Sequence, residues 1–191
     1  MFWKMAIVAV AGFGLAAFGG PANAAVSVLG GSLASSCYQA AQFGGDVRDG
    51  IRVCDTALLE SALSTRDRAA TMINLGILRS QNDDPTGALK SYNKGLSLDA
   101  SLGEGYVDRG ATEIVLKDYQ AAVADITKGL ALNSNRPEIA YYDRAIANEA
   151  LGNIRDAYQD YKKAVELRPD FALANEQLMR FKVVRRGGNG A

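Results

Sequence analysis

The 191-residue chain contains no histidine, two cysteines and four prolines, and its 21 basic and 21 acidic residues cancel. Each shortage excludes something. Without histidine there is no His-based acid–base catalysis and no Ser–His or Cys–His nucleophile, and the commonest ligand of protein metal sites is missing. Two cysteines are too few for a small scaffold built on disulfides. A cancelled net charge gives no strong field toward nucleic acid or anionic membrane. No Gly-rich phosphate loop, G-x-S-x-G elbow or ligand set at metal spacing occurs along the chain. The composition points away from an enzyme, and no cofactor and no metal are expected. With 48% hydrophobic and 22% charged residues, the chain suits one globular domain or slightly more.

Charge is scarcest at the N-terminus, where Lys4 is the only charged residue before Asp46. Residues 5–18 are apolar or small without a break, and Gly19, Gly20 and Pro21 follow. Ala22-Asn23-Ala24 then places small residues at both positions that signal peptidase reads. This is the pattern of a secretory signal peptide over residues 1–24, cleaved after Ala24. The apolar run of about 14 residues is shorter than the ~20 that a bilayer span needs, so no membrane span is expected after cleavage. Cys37 lies too far beyond that run, and Ser36 fits too poorly before it, for a lipoprotein signal. The compact signal fits bacterial export, and a periplasmic or secreted protein is expected.

Self-comparison organises the remainder. Residues 88–98 (ALKSYNKGLSL), 122–132 (AVADITKGLAL) and 157–167 (AYQDYKKAVEL) align at spacings of 34 and 35 residues. A matching half-repeat precedes each: Asn74-Leu75-Gly76, Asp108-Arg109-Gly110 and Asp143-Arg144-Ala145. Apolar and small residues recur at helical spacing within each half, and Gly, Asp or Asn separates the halves. The spacing predicts helices over 67–81, 85–97, 101–115, 119–131, 138–151 and 154–167. Beyond Pro169, residues Phe171, Ala174, Leu178 and Phe181 share one face, which predicts a capping helix over 171–184 for the open end of a stacked array. Residues 185–191 read as a disordered tail.

These motifs resemble the tetratricopeptide repeat family. Gly76/Ala88/Tyr92/Gly95, Gly110/Ala122/Ile126/Gly129 and Ala145/Ala157/Tyr161/Ala164 stand in its signature slots. Tyr106 and Tyr141 take the large-residue slot of the first helix, and Pro169 is the terminal proline. The resemblance implies an all-α solenoid with three repeats over residues 66–170. A degenerate helix pair over residues 25–65 precedes them, because Gly50 to Leu58 mimics a second helix with Cys54 in the aromatic slot. Residues 36–43 would be its first helix, and Gly44-Gly45 its turn.

In that register Cys37 and Cys54 fall in slots that face each other across the degenerate pair. A disulfide there would close a 17-residue loop and contribute about 3 kcal/mol. The alternative is a thiol pair that cycles, which would make the protein a redox or enzyme-associated accessory, although the C-x-x-C form of catalytic dithiols is absent. Arg109 with Asp125, and Arg144 with Asp160, are each 16 residues apart in the same two slots. Leu75 and Ser91 hold those slots in the first repeat, so the charges come and go together, as side chains in contact do. An Arg-held carboxylate is kept ionised, so these are structural ion pairs and not catalytic dyads.

In this family the first helices of successive units line an inner, concave surface. Carried over slot by slot, Ile73, Ile77, Val107, Ile114, Tyr142 and Ile146 are expected to floor a peptide-binding groove, with Glu104 and Glu149 as an acidic rim. Some members clamp a chaperone's C-terminal carboxylate through Lys, Arg and Asn in these slots, and here Ile73 and Ile77 stand in place of Lys and Asn. The expected partner is a protein or peptide, an amphipathic or extended segment with basic residues, and not nucleic acid, which an acidic rim repels. The C-terminal helix from Phe171 would be placed to fold across part of the groove.

Overall fold

The computed structural model describes residues 5–9, 25–28, 32–60 and 62–185. Helices dominate: α1 (Ser32–Phe43), α2 (Val47–Glu60), α3 (Thr65–Gln81), α4 (Pro85–Leu98), α5 (Gly103–Val115), α6 (Tyr119–Ala131), α7 (Pro137–Ala150), α8 (Ile154–Leu167) and α9 (Ala172–Met179). They pack as successive antiparallel pairs, α1 with α2 through α7 with α8, and each pair rests on the next, as the solenoid reading requires.

The pairing follows from small residues opposite large ones. A methyl group added at Gly76 would lie 2.5 Å from the Tyr92 ring, and one at Gly110 would lie 2.6 Å from Ile126. Ala145 and Tyr161 share a buried cluster in the third pair. The glycines of α4 and α6 receive a first-helix side chain in return: Gly95 receives Ile73, and Gly129 receives Val107. Two knobs in two holes fix these two helix pairs at close approach.

The turns repeat as well. Asp83, Lys117 and Gly152 stand at equivalent positions with φ of 55°, 64° and 79°. The residue after each donates its N–H to a carbonyl five residues back: Asp84 to Arg79, Asp118 to Glu113 and Asn153 to Asn148. This is the Schellman ending, in which a left-handed residue satisfies the last carbonyls of the helix. Asp84 and Asp118 then cap the following helices through the backbone N–H groups of Gly87 and Ala121. In the first pair Gly44 and Gly45 make the turn, both at positive φ.

The C-terminus departs from expectation. The last helix ends at Met179, short of the predicted 184, and Phe181–Arg185 forms strand β2. The sequence FKVVR explains the change, since an aromatic and two adjacent valines favour extended backbone. β2 pairs antiparallel with β1 (Met5–Ala9). β1 lies inside the expected signal peptide, so this ribbon belongs to the uncleaved chain. The predicted cleavage site at residues 22–24 lies outside the described residues, as does the tail predicted over 185–191 except for Arg185, which is the last residue of β2 and so not part of a tail. Among the described residues, no helix is long and apolar enough to cross a membrane.

Candidate functional site

The inner face of each first helix is a stripe at i, i+3, i+4 and i+7. On α3 the stripe is Ala70, Ile73, Asn74 and Ile77; on α5 it is Glu104, Val107, Asp108 and Ala111; on α7 it is Ile139, Tyr142, Asp143 and Ile146. Burial falls along this series. All four residues of α3 are fully buried. On α5, Val107 and Asp108 are buried while Glu104 and Ala111 are half-exposed, and on α7 all four keep partial exposure.

This gradient corrects the expected floor. Ile73 and Ile77 offer no surface, and Val107 and Ile114 offer little, at 8% exposure each. Ile73 and Val107 are the knobs seated on Gly95 and Gly129. Slot position reported which way these side chains face, whereas the glycine hole opposite them decides that they are core. Tyr142 and Ile146 remain as accessible apolar residues of the six. The acidic rim is corrected too. Glu104 accepts the backbone N–H of Asn135 at 2.9 Å. Glu149 receives Arg180 at 2.7 and 2.8 Å and the Tyr161 hydroxyl at 3.1 Å. Both carboxylates are engaged within the chain, so the case for a basic peptide loses its carriers.

The C-terminal segment covers part of the third stripe. Phe171 stacks on Tyr142 with ring centroids 5.0 Å apart, and Tyr142 also meets Tyr161 at 5.7 Å. Asp143, the acid of this stripe, has its carboxyl raised to about 7, because burial disfavours its charged form more than Arg136 restores it. Glu113 on α5 is likewise raised to about 7 by burial and by the nearby Asp125 charge.

The charged slots form joints between repeats. Arg109 grips Asp125 with two nitrogens, Nη2 to Oδ1 at 2.8 Å, and its Nη1 donates to Asn93 Oδ1 on the preceding second helix. Arg144 does the same, with two bonds to Asp160 at 2.9 and 2.8 Å and a third to Thr127 Oγ1 at 3.0 Å. Each guanidinium also lies over a tyrosine of its own helix, Tyr106 or Tyr141. In both cases the acceptors immediately flank an aromatic-slot position: one precedes it in the same repeat, and one follows it in the repeat before.

The first repeat has a joint that slot comparison missed. Arg79, one turn beyond Leu75, donates to Ser91 at 3.0 Å and lies 3.5 Å from Asp55 on α2. Ser91 and Asp55 flank the aromatic-slot positions Tyr92 and Cys54 in the same way. The arginine was one helical turn out of register, so comparing equal positions could not find it. On the other side of this joint the sulfurs of Cys37 and Cys54 are 2.07 Å apart, and both residues are fully buried. Burial shields them from an exchanging thiolate, which removes the access that a cycling redox pair needs.

Among the described residues, no group of acidic or cysteine side chains could hold a metal ion. The inner face offers half-buried apolar surface on α7, and the slot of the buried Asn74 is filled by Asp108 and Asp143 at spacings of 34 and 35 residues.

Residues 139–171 match the model of the tetratricopeptide repeat family. Serine/threonine-protein phosphatase 5 of Rattus norvegicus is 31% identical over 87 residues, 46% of this chain and 17% of that protein. RNA polymerase II-associated protein 3 of Xenopus tropicalis is 32% identical over 119 residues, 62% of this chain and 16% of that protein. The chain thus spans less than a fifth of the length of these relatives. MamA from Desulfovibrio magneticus RS-1 has a similar fold, with a TM-score of 0.65 and 19% identity over 78% of this chain and 82% of that one. The first such repeat domain of Spaghetti (RPAP3), bound to the HSP90 peptide SRMEEVD, gives a TM-score of 0.55 and 26% identity over 59% of this chain and 90% of that one.

Proposed function

We propose, from the premise that the chain is a tetratricopeptide-repeat protein, that it is an exported interaction module and not an enzyme. It holds an extended segment of a protein partner along the inner face of its first helices. The observation that carries this reading is the stripe Ile139, Tyr142, Asp143 and Ile146, which stays half-exposed on α7 while the equivalent stripe on α3 is sealed. A tyrosine and two isoleucines that keep partial exposure on one helix face, beside the Phe171 that covers part of it, suit the apolar anchors of a bound segment, which supply most of the affinity at such sites. The related domain of Spaghetti, bound to a peptide, supports the same use of the fold. Its acidic peptide is a poor guide to the ligand here, because Ile73 and Ile77 occupy slots where carboxylate clamps carry Lys and Asn.

The apolar run at residues 5–18 and the Ala22-Asn23-Ala24 site support delivery to the periplasm. An oxidising compartment suits a buried Cys37–Cys54 disulfide. The test replaces Tyr142 and Ile146 singly by Lys in the exported protein, checks that helicity and melting are unchanged, and compares partners co-purified from the periplasm. Loss of the same partner from both variants is expected. Undiminished recovery from both would sink the groove as the binding surface.

A further inference from the structure

Besides Gly95 and Gly105, which close over Ile73, a second element seals the α3 stripe. Residues 25–28, the first after the expected cleavage site, are neither helical nor strand-paired and run into the same apolar cluster as Ile73 and Ile77, with Ala25 and Val26 buried and Val28 packed against its edge. Asn74, itself fully buried, holds this segment at two points. The Val26 N–H donates to Asn74 Oδ1 at 2.8 Å, and Asn74 Nδ2 donates to the Val26 carbonyl at 2.8 Å. One side-chain amide thus satisfies both backbone groups of a single residue, as a neighbouring β-strand would.

We infer that Ala25–Val28 is a resident, displaceable ligand of the inner face of the first repeat, and that Asn74 is the residue that reads it. The inference rests on the reading of the inner face as the binding surface, and adds what its first third accepts. Because Asn74 addresses backbone alone, the site takes an extended segment of any partner that brings small or β-branched apolar residues to the two buried positions. A polar residue follows at the exposed position of Ser27. The segment is registered to one repeat. Asp108 and Asp143 occupy the slot of Asn74 on α5 and α7; a carboxyl pairs a donor with an acceptor only when protonated, whereas the Asn74 amide offers both at any pH. Cleavage after Ala24 would leave the held residue next to a free chain end, where fraying begins.

The experiment uses the exported full chain, a Val26→Pro variant, which lacks the donated N–H, and the double variant Val26→Pro/Asn74→Ala. Two quantities are read: hydrogen exchange of the amides of residues 26–28, and anisotropy of a labelled AVSVLG peptide matching residues 25–30. In the wild type the Val26 amide should be protected and the peptide should bind weakly. Ala25→Glu, which keeps the Val26 N–H, should lose its protection, Val26→Pro should bind the peptide at least tenfold more tightly, and the double variant should lose that gain. An unprotected Val26 amide in the wild type overturns residency. A released segment without tighter peptide binding overturns the ligand site. If Val26→Pro fails to fold, Ala25→Glu gives the same release without changing the backbone, and the same criteria apply. A Tyr142→Lys change that leaves partner recovery intact would refute the broader groove reading while leaving the Val26 and peptide readouts unmoved, so the two failures are distinct.

Discussion

The two ends of this solenoid use one architecture and different glue. At the N-terminal end, α1 and α2 are joined at Cys37 and Cys54, and α3 is sealed by apolar packing and by the Asn74 grip on Val26. The arginine at that joint, Arg79, meets a neutral Ser91 and reaches Asp55 at only 3.5 Å. In the second and third repeats the joint is a two-point Arg–Asp pair with a third bond back to the preceding repeat. A terminal unit has one neighbour and less shared core, so it gains most from a constraint that acts on the unfolded chain. Interior joints have neighbours on both sides, and there a partly buried ion pair fixes register more than it adds net stability.

The sharpest way to break this comparison is to remove the covalent link. Replacing Cys37 and Cys54 together by Ala should cost about 3 kcal/mol for a 17-residue loop. The loss should stay local, because a stacked array couples nearest neighbours. Amide exchange should rise in α1 and α2 while α5 to α8 keep their protection. Equal loss at both ends would show that the solenoid unfolds as one block. Intact mass after alkylation, with and without reductant, checks the bond itself, and two free thiols in native protein would refute it.

The ion-pair joints should show the reverse pattern. Arg109 and Asp125 are 20% and 15% exposed, so the full cost of stranding a buried charge, about 3–5 kcal/mol, is reduced by solvent. Arg109→Leu and Asp125→Leu should each cost about 2 kcal/mol, and the double change less than their sum. Arg79→Leu should cost under about 1 kcal/mol, since its acidic partner is distant and exposed. Denaturant melts of all four variants decide this. Strict additivity of the Arg109 and Asp125 changes, or equal losses at Arg79 and Arg109, would erase the distinction between the joints.

Much of this was legible in the sequence, for a physical reason. A repeat places the same residue types in the same environments, so helix positions and the Arg–Asp partners followed from register alone: residues 154–167 are α8, and charges that came and went together at 16-residue spacing meet in space. What register could not supply was coverage. Ile73 faces inward as expected, yet Gly95 and Gly105 close over it. Val26 shows no periodicity, so nothing in four residues announced that they would lie on α3. Arg79 was hidden by one turn of slippage, and β2 by an apolar pattern that a helix could also have used.

The smallest expected effect lies in the turns, where the repeats differ by one residue type. Asp83, Lys117 and Gly152 all hold left-handed backbone, and all sit within the same Schellman hydrogen bonds. Only Gly152 does so without crowding from a Cβ, which for other residues costs about 1–2 kcal/mol. Lys117 is exposed, so little packing is lost if its side chain is removed. Lys117→Gly should therefore stabilise the protein, offset in part by the greater freedom glycine has in the unfolded chain. A net gain of about 0.5–1 kcal/mol is expected, or roughly 1–4 °C in melting temperature for a chain of this size. Asp83→Gly should gain less, because Asp tolerates the left-handed region better than Lys. Gly152→Ala should lose about 1 kcal/mol by the same strain. A Lys117→Gly variant that melts at or below the wild-type temperature would mean that the strain is relieved elsewhere, and that the three turns are not equivalent after all.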